Sequence, residues 1–452
     1  MLVFILAATL LLRVSRGYQR RGGAMAWLLA IVLIPYLGVP LYLIFGGRKM
    51  LRQMASKSPL YAGQPGESVP GEGTAYETKR VLTGLGLPAP RDGNRVDLHF
   101  NGETAYAQLM TILDRAEHTI HITTFILGRK EVGRAILELL TRKASEGVAI
   151  RLLLDSLGCF YTRRRSLRPL QRAGGQVGWF LPVLPLRRRW SANLRNHRKI
   201  VVVDGREAMV GGMNLDYRFM GPRRDPARFI DSAVFVAGPS VADIDNVFVN
   251  DWHFTTGEVV PEEQRAPWDV QAGHAQVQVA PSGPDVPDDA LSDALLTASM
   301  DVSDRIWLVT PYFVPDESML KLLALQARMG RDVRVIMPEK SNHRIADLAR
   351  GVAVRELMAA GAVVYLYPKG MVHAKVLLFD NAVGITGSPN LDMRSLLLDF
   401  EIALFHYTES EISQIAGWME TLMAQCKPMQ AVKSALLREW MEGMAALAAP
   451  LI

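Results

Sequence analysis

The sequence predicts an α/β protein made of two copies of one domain that follow a membrane segment. Three observations predict this: an internal repeat, an alternation of helix and strand patterns in each copy, and a long uncharged stretch near the start of the chain. With 452 residues the chain is too long for one ordinary domain. Hydrophobic residues make up 49% and charged residues 21%, a composition that excludes a disordered protein.

The uncharged stretch covers residues 24–46 and is long enough for a transmembrane helix. At a rise of about 1.5 Å per residue, such a helix can cross a hydrocarbon layer of about 30 Å. Residues 1–14 form a shorter and weaker span, either half of a helical hairpin or a surface anchor. We therefore expect a membrane anchor over 1–47 and a linker over 48–93. Basic residues are balanced on both sides of the strong span, so its orientation stays open.

An internal repeat organises the rest of the chain. Residues 197–214 and 373–390 both match the pattern H-x-K-x4-D-x6-G-[GS]-x-N, 176 residues apart. Upstream of each copy a helical pattern is followed by an apolar strand pattern. The helical patterns cover 132–143 and 318–328, and the strand patterns begin at 149 and 332. A duplicated α/β domain follows, with a first domain over 94–262 and a second over 263–452.

Each motif places a histidine and a lysine on one face of a strand. His197 and Lys199 are two residues apart, so their side chains project together, and the same holds for His373 and Lys375. Each histidine–lysine pair can therefore bind one small anionic group. The glycines that follow allow a close backbone approach. Two asparagines then offer amide donors; they are Asn214 and Asn390.

The chemistry that fits these residues is transfer at a phosphodiester. Such a reaction needs a nucleophile, a proton donor for the leaving oxygen and donors for the non-bridging oxygens. Two facing motifs supply all three. One imidazole would attack phosphorus and the other would protonate the leaving alcohol, while the lysines and asparagines neutralise charge. We expect no metal and no cofactor, because the sequence has no H-E-x-x-H, no Cys/His cluster and no Walker-type loop.

Carboxylates that follow the motifs are candidates for orienting the histidines. An acceptor for the second ring N–H fixes the tautomer and stabilises the imidazolium. Glu401 lies 28 residues after His373, so we assign it to that histidine. Asp231 lies 34 residues after His197 and is assigned in the same way. For the aspartate of each motif, a structural turn residue and a direct catalytic group are both open readings. These two residues are Asp204 and Asp380.

The paired motifs resemble those of the phospholipase D superfamily. Residues 387–401, 310–315 and 24–29 resemble the membrane-anchored bacterial cardiolipin synthases of that superfamily. The resemblance implies two tandem phospholipase D-like domains, each a mixed β-sheet flanked by helices, related by a pseudo-twofold. It also implies transfer of a phosphatidyl group between two phosphatidylglycerol molecules through a phosphohistidine, giving cardiolipin and glycerol. His197 is then the nucleophile and His373 the acid and later the base, although the residues themselves do not break this symmetry.

Membrane phospholipids, phosphatidylglycerol and cardiolipin, are the expected partners, and the bacterial inner membrane, with the protein integral to it, is the expected location. The near alternative is a lipid hydrolase, because water can resolve the same intermediate. A phosphatidyltransferase that uses another donor or acceptor lipid is equally open. The net charge of +6 also fits a nuclease, but the uncharged span argues against nucleic acid. The oligomeric state stays open.

Two further expectations concern residues outside the motifs. The arginine-rich stretch 163–199, interrupted by the apolar residues 179–186, is expected to contact an anionic bilayer, with a solvated basic face as the alternative. The other seven histidines lack a lysine two positions on and are expected to be structural.

Overall fold

The structure is a computed structural model that describes residues 71–182, 194–267, 271–286, 288–430 and 436–447, together with Tyr36, Lys57 and Leu60. The expected spans over 1–14 and 24–46 lie outside these residues, with Tyr36 as the one exception. Among the described residues, no helix combines the length and the apolar composition that crossing a bilayer requires.

The first half of the molecule alternates helices and strands. Its described elements are α1 (Thr74–Gly84), β1 (Arg91–His99), α2 (Gly102–Asp114), β2 (Thr119–Thr124), α3 (Glu131–Ser145), β3 (Ala149–Asp155), α4 (Arg164–Arg172), β4 (Gln176–Phe180), β5 (Ile200–Val203), β6 (Glu207–Gly211), β7 (Ala233–Ala237) and α5 (Ser240–Thr256). Helix α3 covers the helical pattern over 132–143, and β3 begins at the expected residue. Asn101 caps α2, because its Oδ1 accepts hydrogen bonds from the backbone N–H groups of Glu103 and Thr104 at 2.8 and 3.2 Å.

The second half follows a 3₁₀ turn at Glu262–Gln264 and repeats the alternation. Its described elements are β8 (Ala275–Ser282), α6 (Ala290–Met300), β9 (Arg305–Val309), β10 (Phe313–Val314), α7 (Glu317–Arg328), β11 (Asp332–Pro338), α8 (Arg344–Ala359), β12 (Val363–Tyr367), β13 (Val376–Phe379), β14 (Val383–Gly387), β15 (Leu391–Asp392), α9 (Met393–Leu397), β16 (Glu401–His406), α10 (Glu409–Met423), β17 (Lys427–Pro428) and α11 (Leu436–Leu447). Helix α7 and strand β11 match the expected patterns at 318–328 and 332.

The described strands form one mixed sheet in the order β17-β12-β11-β9-β13-β14-β16-β8-β1-β7-β6-β5-β2-β3-β4, with β10 and β15 paired separately. The halves meet where β1 pairs with β8. Outward from this contact, antiparallel strands come first and parallel strands second in both directions, and the second half adds β17 as a short antiparallel edge strand. Equivalent strands therefore hold equivalent places, and the prediction of two tandem mixed α/β domains is confirmed.

The motif strands β5 and β13 are interior strands of this sheet, with a neighbouring strand on each side, and both are buried. Every residue of β5, β13 and β16 is buried. Strands of this kind consist of continuous Val, Ile and Leu runs rather than alternating patterns. A large apolar cluster passes from α5 through β8 and β16 into the second half and joins the two halves. Charged side chains at the ends of these strands therefore lie in a medium that penalises charge.

One expectation is wrong for the residues that the structure describes. The apolar stretch 179–186 was expected to reach toward a bilayer, but Phe180 is 0% exposed and Leu181 is 3% exposed. Phe180 ends the edge strand β4, Leu181 follows it, and both side chains pack in the core. Residues 183–193 lie outside the described part of the chain.

Candidate active site

The two motif histidines line one cavity of about 410 Å³ between the halves. Each half contributes an equivalent set of three side chains: the histidine, the asparagine of the motif and an arginine four residues after the asparagine. The sets are His197, Asn214 and Arg218 from the first half, and His373, Asn390 and Arg394 from the second. The two motifs therefore share one space.

Each histidine is hydrogen-bonded to a carboxylate from the opposite half. His197 Nδ1–H donates to Glu401 Oε1 at 2.8 Å, and His373 Nδ1–H donates to Asp231 Oδ2 at 2.7 Å. The expectation that Glu401 serves His373 and Asp231 serves His197 is therefore wrong. An ionised carboxylate only accepts, so the proton is on Nδ1 and Nε2 carries the lone pair that a nucleophile requires.

The crossed pairing follows from how the backbone joins the halves. Asn196 pairs with Phe400 and Ile230 pairs with Val372 in short parallel bridges. The backbone N–H of His197 donates to the Phe400 oxygen at 2.9 Å, and that of His373 donates to the Ile230 oxygen at 2.7 Å. The residue after Phe400 and the residue after Ile230 are the two carboxylates. Each segment that follows a motif thus crosses to the other motif, a long-range contact that spacing along the chain does not reveal.

Burial keeps both imidazoles neutral near pH 7. Lys199 Nζ donates to the backbone oxygen of His197, while Lys375 Nζ donates to that of His373 and lies 2.7 Å from its Nδ1. Burial lowers the pKa of Lys199 to about 7 and that of Lys375 to about 8. Burial and the charge of Lys375 lower the pKa of His373 to about 3, and burial also lowers the pKa of His197.

The two orienting carboxylates stay ionised although both are fully buried. Burial by itself raises the pKa of a carboxyl group. For Glu401, the charge and hydrogen bond of His197 and the charge of Lys199 outweigh burial and lower the pKa. For Asp231, His373 and the neighbouring lysine have the same net effect. Each buried pair therefore places an ionised carboxylate against a neutral imidazole.

The motif aspartates lie outside the cavity lining and hold backbone turns. The Asp204 carboxylate accepts hydrogen bonds from the backbone N–H groups of residues 117, 118 and 119 at 2.7 to 2.8 Å. Asp380 does the same for residues 303, 304 and 305 at 2.8 to 2.9 Å. Both have a positive φ, 49° and 51°, in the turns after β5 and β13. Of the two readings from the sequence, the structural one fits this geometry, since each carboxylate clips a hairpin to the neighbouring strand.

The two motif asparagines line the cavity but are held differently. Asn214 Oδ1 accepts from the backbone N–H of Ile126 at 3.0 Å. Asn390 Nδ2 donates to Ser395 Oγ at 3.1 Å. Within the described residues, no group of three or more His, Cys, Asp or Glu side chains is arranged to hold a metal ion.

A buried ion cluster lies directly behind His197. Arg198 donates to Asp251 at 2.8 Å and to Asp285 at 3.0 Å, and Lys57, from the linker, donates to both carboxylates. Asn196 Nδ2 donates to Asp251 Oδ2 at 2.8 Å. The charged side chains are at most 1% exposed, and the two cations balance the two carboxylates. The residues on both sides of His197 are therefore fixed by a neutral, hydrogen-bonded network.

The chain is similar to known proteins. A family described as cardiolipin synthase, phospholipase D-like domain, matches residues 109–252 and 292–423. The chain belongs to the phospholipase D-like cardiolipin synthase family. A second family, the phospholipase D-nuclease N-terminal family, matches residues 2–47.

Two curated relatives and one solved structure are similar to this chain. Cardiolipin synthase 1 of Bacillus cereus is 31% identical over 411 residues, 86% of this chain and 81% of the relative. Cardiolipin synthase A of Pseudomonas entomophila is 31% identical over 432 residues, 91% of this chain and 88% of the relative. The crystal structure of a phosphatidylserine synthase from Haemophilus influenzae Rd KW20 covers 83% of this chain and 100% of its own, with a TM-score of 0.64 at 15% identity. This structural likeness shows a shared fold.

In this member of the cardiolipin synthase family, the cavity has two unlike walls. The first half adds large apolar side chains, Phe125, Ile126, Leu157, Phe219 and Phe229. The second half adds polar side chains, Tyr312, Asn342, His343, Asp392, Ser395 and Asp399, beside small apolar ones. Burial and the nearby Glu401 and Asp392 raise the pKa of Asp399 to about 7, so that it can hold a proton near neutral pH.

Sequence reasoning missed most of these wall residues. His343, one of the seven histidines expected to be structural, has a side chain that lines the cavity. The arginines were visible in the repeat, where Arg218 and Arg394 stand at equivalent positions. Tyr312 lies in the stretch 310–315, which carries part of the family resemblance. That resemblance was the signal that could have identified it. No repeat or spacing marks Asn342 or Asp399.

Proposed function

We propose that the protein transfers a phosphatidyl group from one phosphatidylglycerol to a second, forming cardiolipin and releasing glycerol. The curated relatives, 29 to 32% identical over most of the chain, support cardiolipin synthase activity of the phosphatidyltransferase type. The observation that carries the mechanism is the pair of histidines, each with its own buried carboxylate, in one cavity.

The first half-reaction breaks the bond between phosphorus and the headgroup glycerol. The Nε2 lone pair of His197 attacks phosphorus, and the P–O bond to glycerol breaks as the new P–N bond forms. His373 supplies the proton that the leaving glycerol oxygen takes up. Although His373 is neutral in the empty site, the negative charge of an entering phosphodiester favours the imidazolium and raises its pKa. Asp231 stabilises the positive charge on this ring.

The second half-reaction reverses these roles. The now neutral His373 removes the proton from a glycerol hydroxyl of the second phosphatidylglycerol, whose oxygen attacks phosphorus. The P–N bond to His197 breaks, and cardiolipin is released. Through both steps the ammonium groups of Lys199 and Lys375, with the asparagine amides, stabilise the charge on the non-bridging oxygens. Glu401 stabilises the cationic His197 while the phosphohistidine persists.

The two walls of the cavity fit the two ends of the lipid. The apolar wall of the first half suits the acyl-bearing part of the substrate, because burial of apolar surface is favourable there. The polar wall of the second half suits a glycerol headgroup, because its hydroxyls need donors and acceptors when they leave water. Tyr312 donates to Asn342 Oδ1 at 2.6 Å, which leaves the tyrosine oxygen as an acceptor.

The same proposal extends to the parts that precede the catalytic body. Residues 1–47 anchor the protein as an integral component of the bacterial inner membrane, with a linker over 48–93. The uncharged run over 24–46 and the family match over 2–47 support this. The two catalytic domains are then 94–262 and 263–452.

A product assay with the full-length protein tests the function. Detergent-solubilised enzyme is given phosphatidylglycerol labelled in the headgroup and, separately, in the acyl chains. We expect equimolar cardiolipin and free glycerol, and no product from the His197→Ala variant. Phosphatidic acid in place of cardiolipin would identify a hydrolase. In a mixture with phosphatidylethanolamine labelled in its headgroup, release of ethanolamine would reassign the donor lipid.

A further inference from the structure

A short loop beside the cavity mouth presents apolar rings to solvent. It joins β3 to α4, and its side chains Leu157, Phe160 and Tyr161 are 43, 69 and 72% exposed. Leu157 also lines the catalytic cavity, so this patch is continuous with the cavity entrance. Single exposed apolar residues are ordinary, but adjacent ones at the rim of a binding cavity indicate a contact surface.

The loop is fixed rather than collapsed onto the protein. Asp155 accepts hydrogen bonds from the backbone N–H groups of residues 157 and 158 at 2.8 and 2.9 Å. The Cys159 thiol is buried, where it donates to the Phe125 oxygen and accepts from the Leu127 N–H, each at 3.3 Å. Thr162 Oγ1 donates to the Leu127 oxygen at 2.8 Å. With both ends and the centre fastened, the rings are held outward without a further ordering cost on contact.

Cations surround these rings, and acidic residues are sparse. Residues 156–203 contain no Asp or Glu. A groove of about 750 Å³ between α3 and α4 adjoins the loop and contains one acid, Glu138. Its cations are Arg129, Lys130, Arg134 and Arg163. The Arg129 guanidinium lies 5.6 Å from the Tyr161 ring centroid, which ties the groove to the aromatic patch. Three more exposed arginines follow on α4; they are Arg164, Arg165 and Arg168.

We infer that these rings and cations, together called the docking surface, seat the catalytic body on an anionic bilayer. Aromatic rings at the level of lipid headgroups, next to clustered arginine, form the chemistry that an anionic membrane surface attracts. The groove accepts an anionic lipid headgroup, while Phe160 and Tyr161 enter the interface. The cavity entrance then faces the lipid layer, so substrate enters without crossing water. The inference takes from the proposed function only the assumption that the substrate is a membrane lipid.

The test compares two forms of the same substrate, using full-length enzyme throughout. One is long-chain phosphatidylglycerol in vesicles of varied anionic content, and the other is dihexanoyl phosphatidylglycerol dissolved as monomers. For the Phe160→Ser/Tyr161→Ser double variant, we expect kcat/KM on vesicles to fall about tenfold and kcat/KM on monomers to be unchanged. For an Arg163→Gln/Arg164→Gln/Arg165→Gln variant, we expect a similar fall that shrinks as salt is raised, because screening weakens charge attraction.

The matched control is Val259→Ser/Met300→Ser, which removes two apolar side chains of similar exposure, 74 and 68%, that line neither the cavity nor the groove. This control should retain activity on both substrates. Equal vesicle activity in the loop variant and wild type would overturn the docking surface. A parallel loss on monomers would also overturn it, since the loop would then support the cavity itself. Absence of turnover by wild type on either substrate would instead reject the proposed function.

Discussion

The two halves of the molecule hold the same catalytic groups but differ in what surrounds them. Equivalence is visible in the backbone: Thr124 Oγ1 donates to the Ile126 oxygen at 3.0 Å, and Thr310 Oγ1 donates to the Tyr312 oxygen at 2.8 Å. Ile126 and Tyr312 therefore occupy the same place on opposite walls. An apolar side chain faces a phenol across the cavity, although the histidines beside them are matched. The motif side chains of the two halves are matched, whereas the walls that surround them are not.

A second difference lies behind the motifs. Asn196 and Arg198 flank the first histidine and belong to the buried ion cluster. The equivalent residues of the second motif are Val372 and Ala374, both fully buried and apolar. One histidine is thus supported by hydrogen-bonded charges that reach into the linker, and the other by simple packing. The two motifs are similar in backbone, but charged hydrogen bonds stabilise one and apolar packing stabilises the other.

The largest expected effect on the rate comes from replacing either motif histidine. His197→Ala and His373→Ala should each lower the rate with phosphatidylglycerol by roughly 10⁴-fold or more. A phosphatidyl ester of p-nitrophenol distinguishes their roles, because nitrophenolate leaves without a proton. In a single turnover measured by absorbance, this ester should rescue His373→Ala and leave His197→Ala inactive. Rescue of the opposite variant would exchange the assigned nucleophile and acid.

The next largest effect is expected from replacing the two carboxylates that bond to the histidine of the opposite half. Glu401→Gln and Asp231→Asn should each reduce kcat by roughly 10² to 10⁴-fold, because the amide no longer fixes the Nδ1–H tautomer or stabilises the imidazolium. Proton NMR checks the pairing: Glu401→Gln should remove the hydrogen-bonded Nδ1 proton of His197 and keep that of His373.

Asp204→Asn is the matched control for these two changes. It makes the same change, carboxylate to amide, within a motif but outside the cavity lining, so it should lower the Tm and leave kcat close to wild type. If Asp204→Asn lost activity as Glu401→Gln does, the structural reading of the motif aspartates would be wrong.

Variants of the buried ion cluster test the second difference between the halves, namely that charged groups support His197 and apolar packing supports His373. Lys57→Met leaves two buried carboxylates against one cation, and removal of one partner from such a group costs about 3 to 5 kcal/mol of folding free energy. Thermal unfolding of the full-length protein measures the loss. Lys57→Met/Asp285→Asn restores the balance of charge and should recover much of the Tm. A double variant less stable than Lys57→Met would show that the cluster does not work by charge balance.

The fold and the shared cavity of the two motif histidines could be predicted from the sequence, because a repeated motif and local strand patterns encode them. The pairing of Glu401 with His197 was not, because it depends on a bridge between Asn196 and Phe400 formed only when the halves dock. The cluster was hidden for the same reason, since Lys57 and Asp285 are 228 residues apart. Local patterns determine elements, while contacts between distant segments determine which charges meet.

The lysines, present in both halves, should give the site an alkaline limit. Lys199 and Lys375 have pKa values of about 7 and 8, so raising the pH through this range removes the positive charge that attracts the phosphate. We expect kcat/KM to fall about tenfold per pH unit once a single lysine has titrated. His373 has a pKa of about 3 in the empty site and donates a proton in the first half-reaction, so lowering the pH toward 5 should cause no loss through that group. Lys199→Arg, which stays charged, should move the fall to higher pH, and an unchanged profile would exclude Lys199 as its cause.

The smallest expected effects are changes of KM caused by substitutions in the two cavity walls. Exchange of labelled glycerol into phosphatidylglycerol isolates headgroup recognition, because free glycerol must occupy the headgroup position to attack the phosphohistidine. Tyr312→Phe removes one hydroxyl from the polar wall and should raise the KM for glycerol about fivefold, the value of one hydrogen bond. Ile126→Ser, at the equivalent place opposite, should instead raise the KM for the long-chain donor. If the two variants changed the same KM, the walls would not distinguish the ends of the lipid.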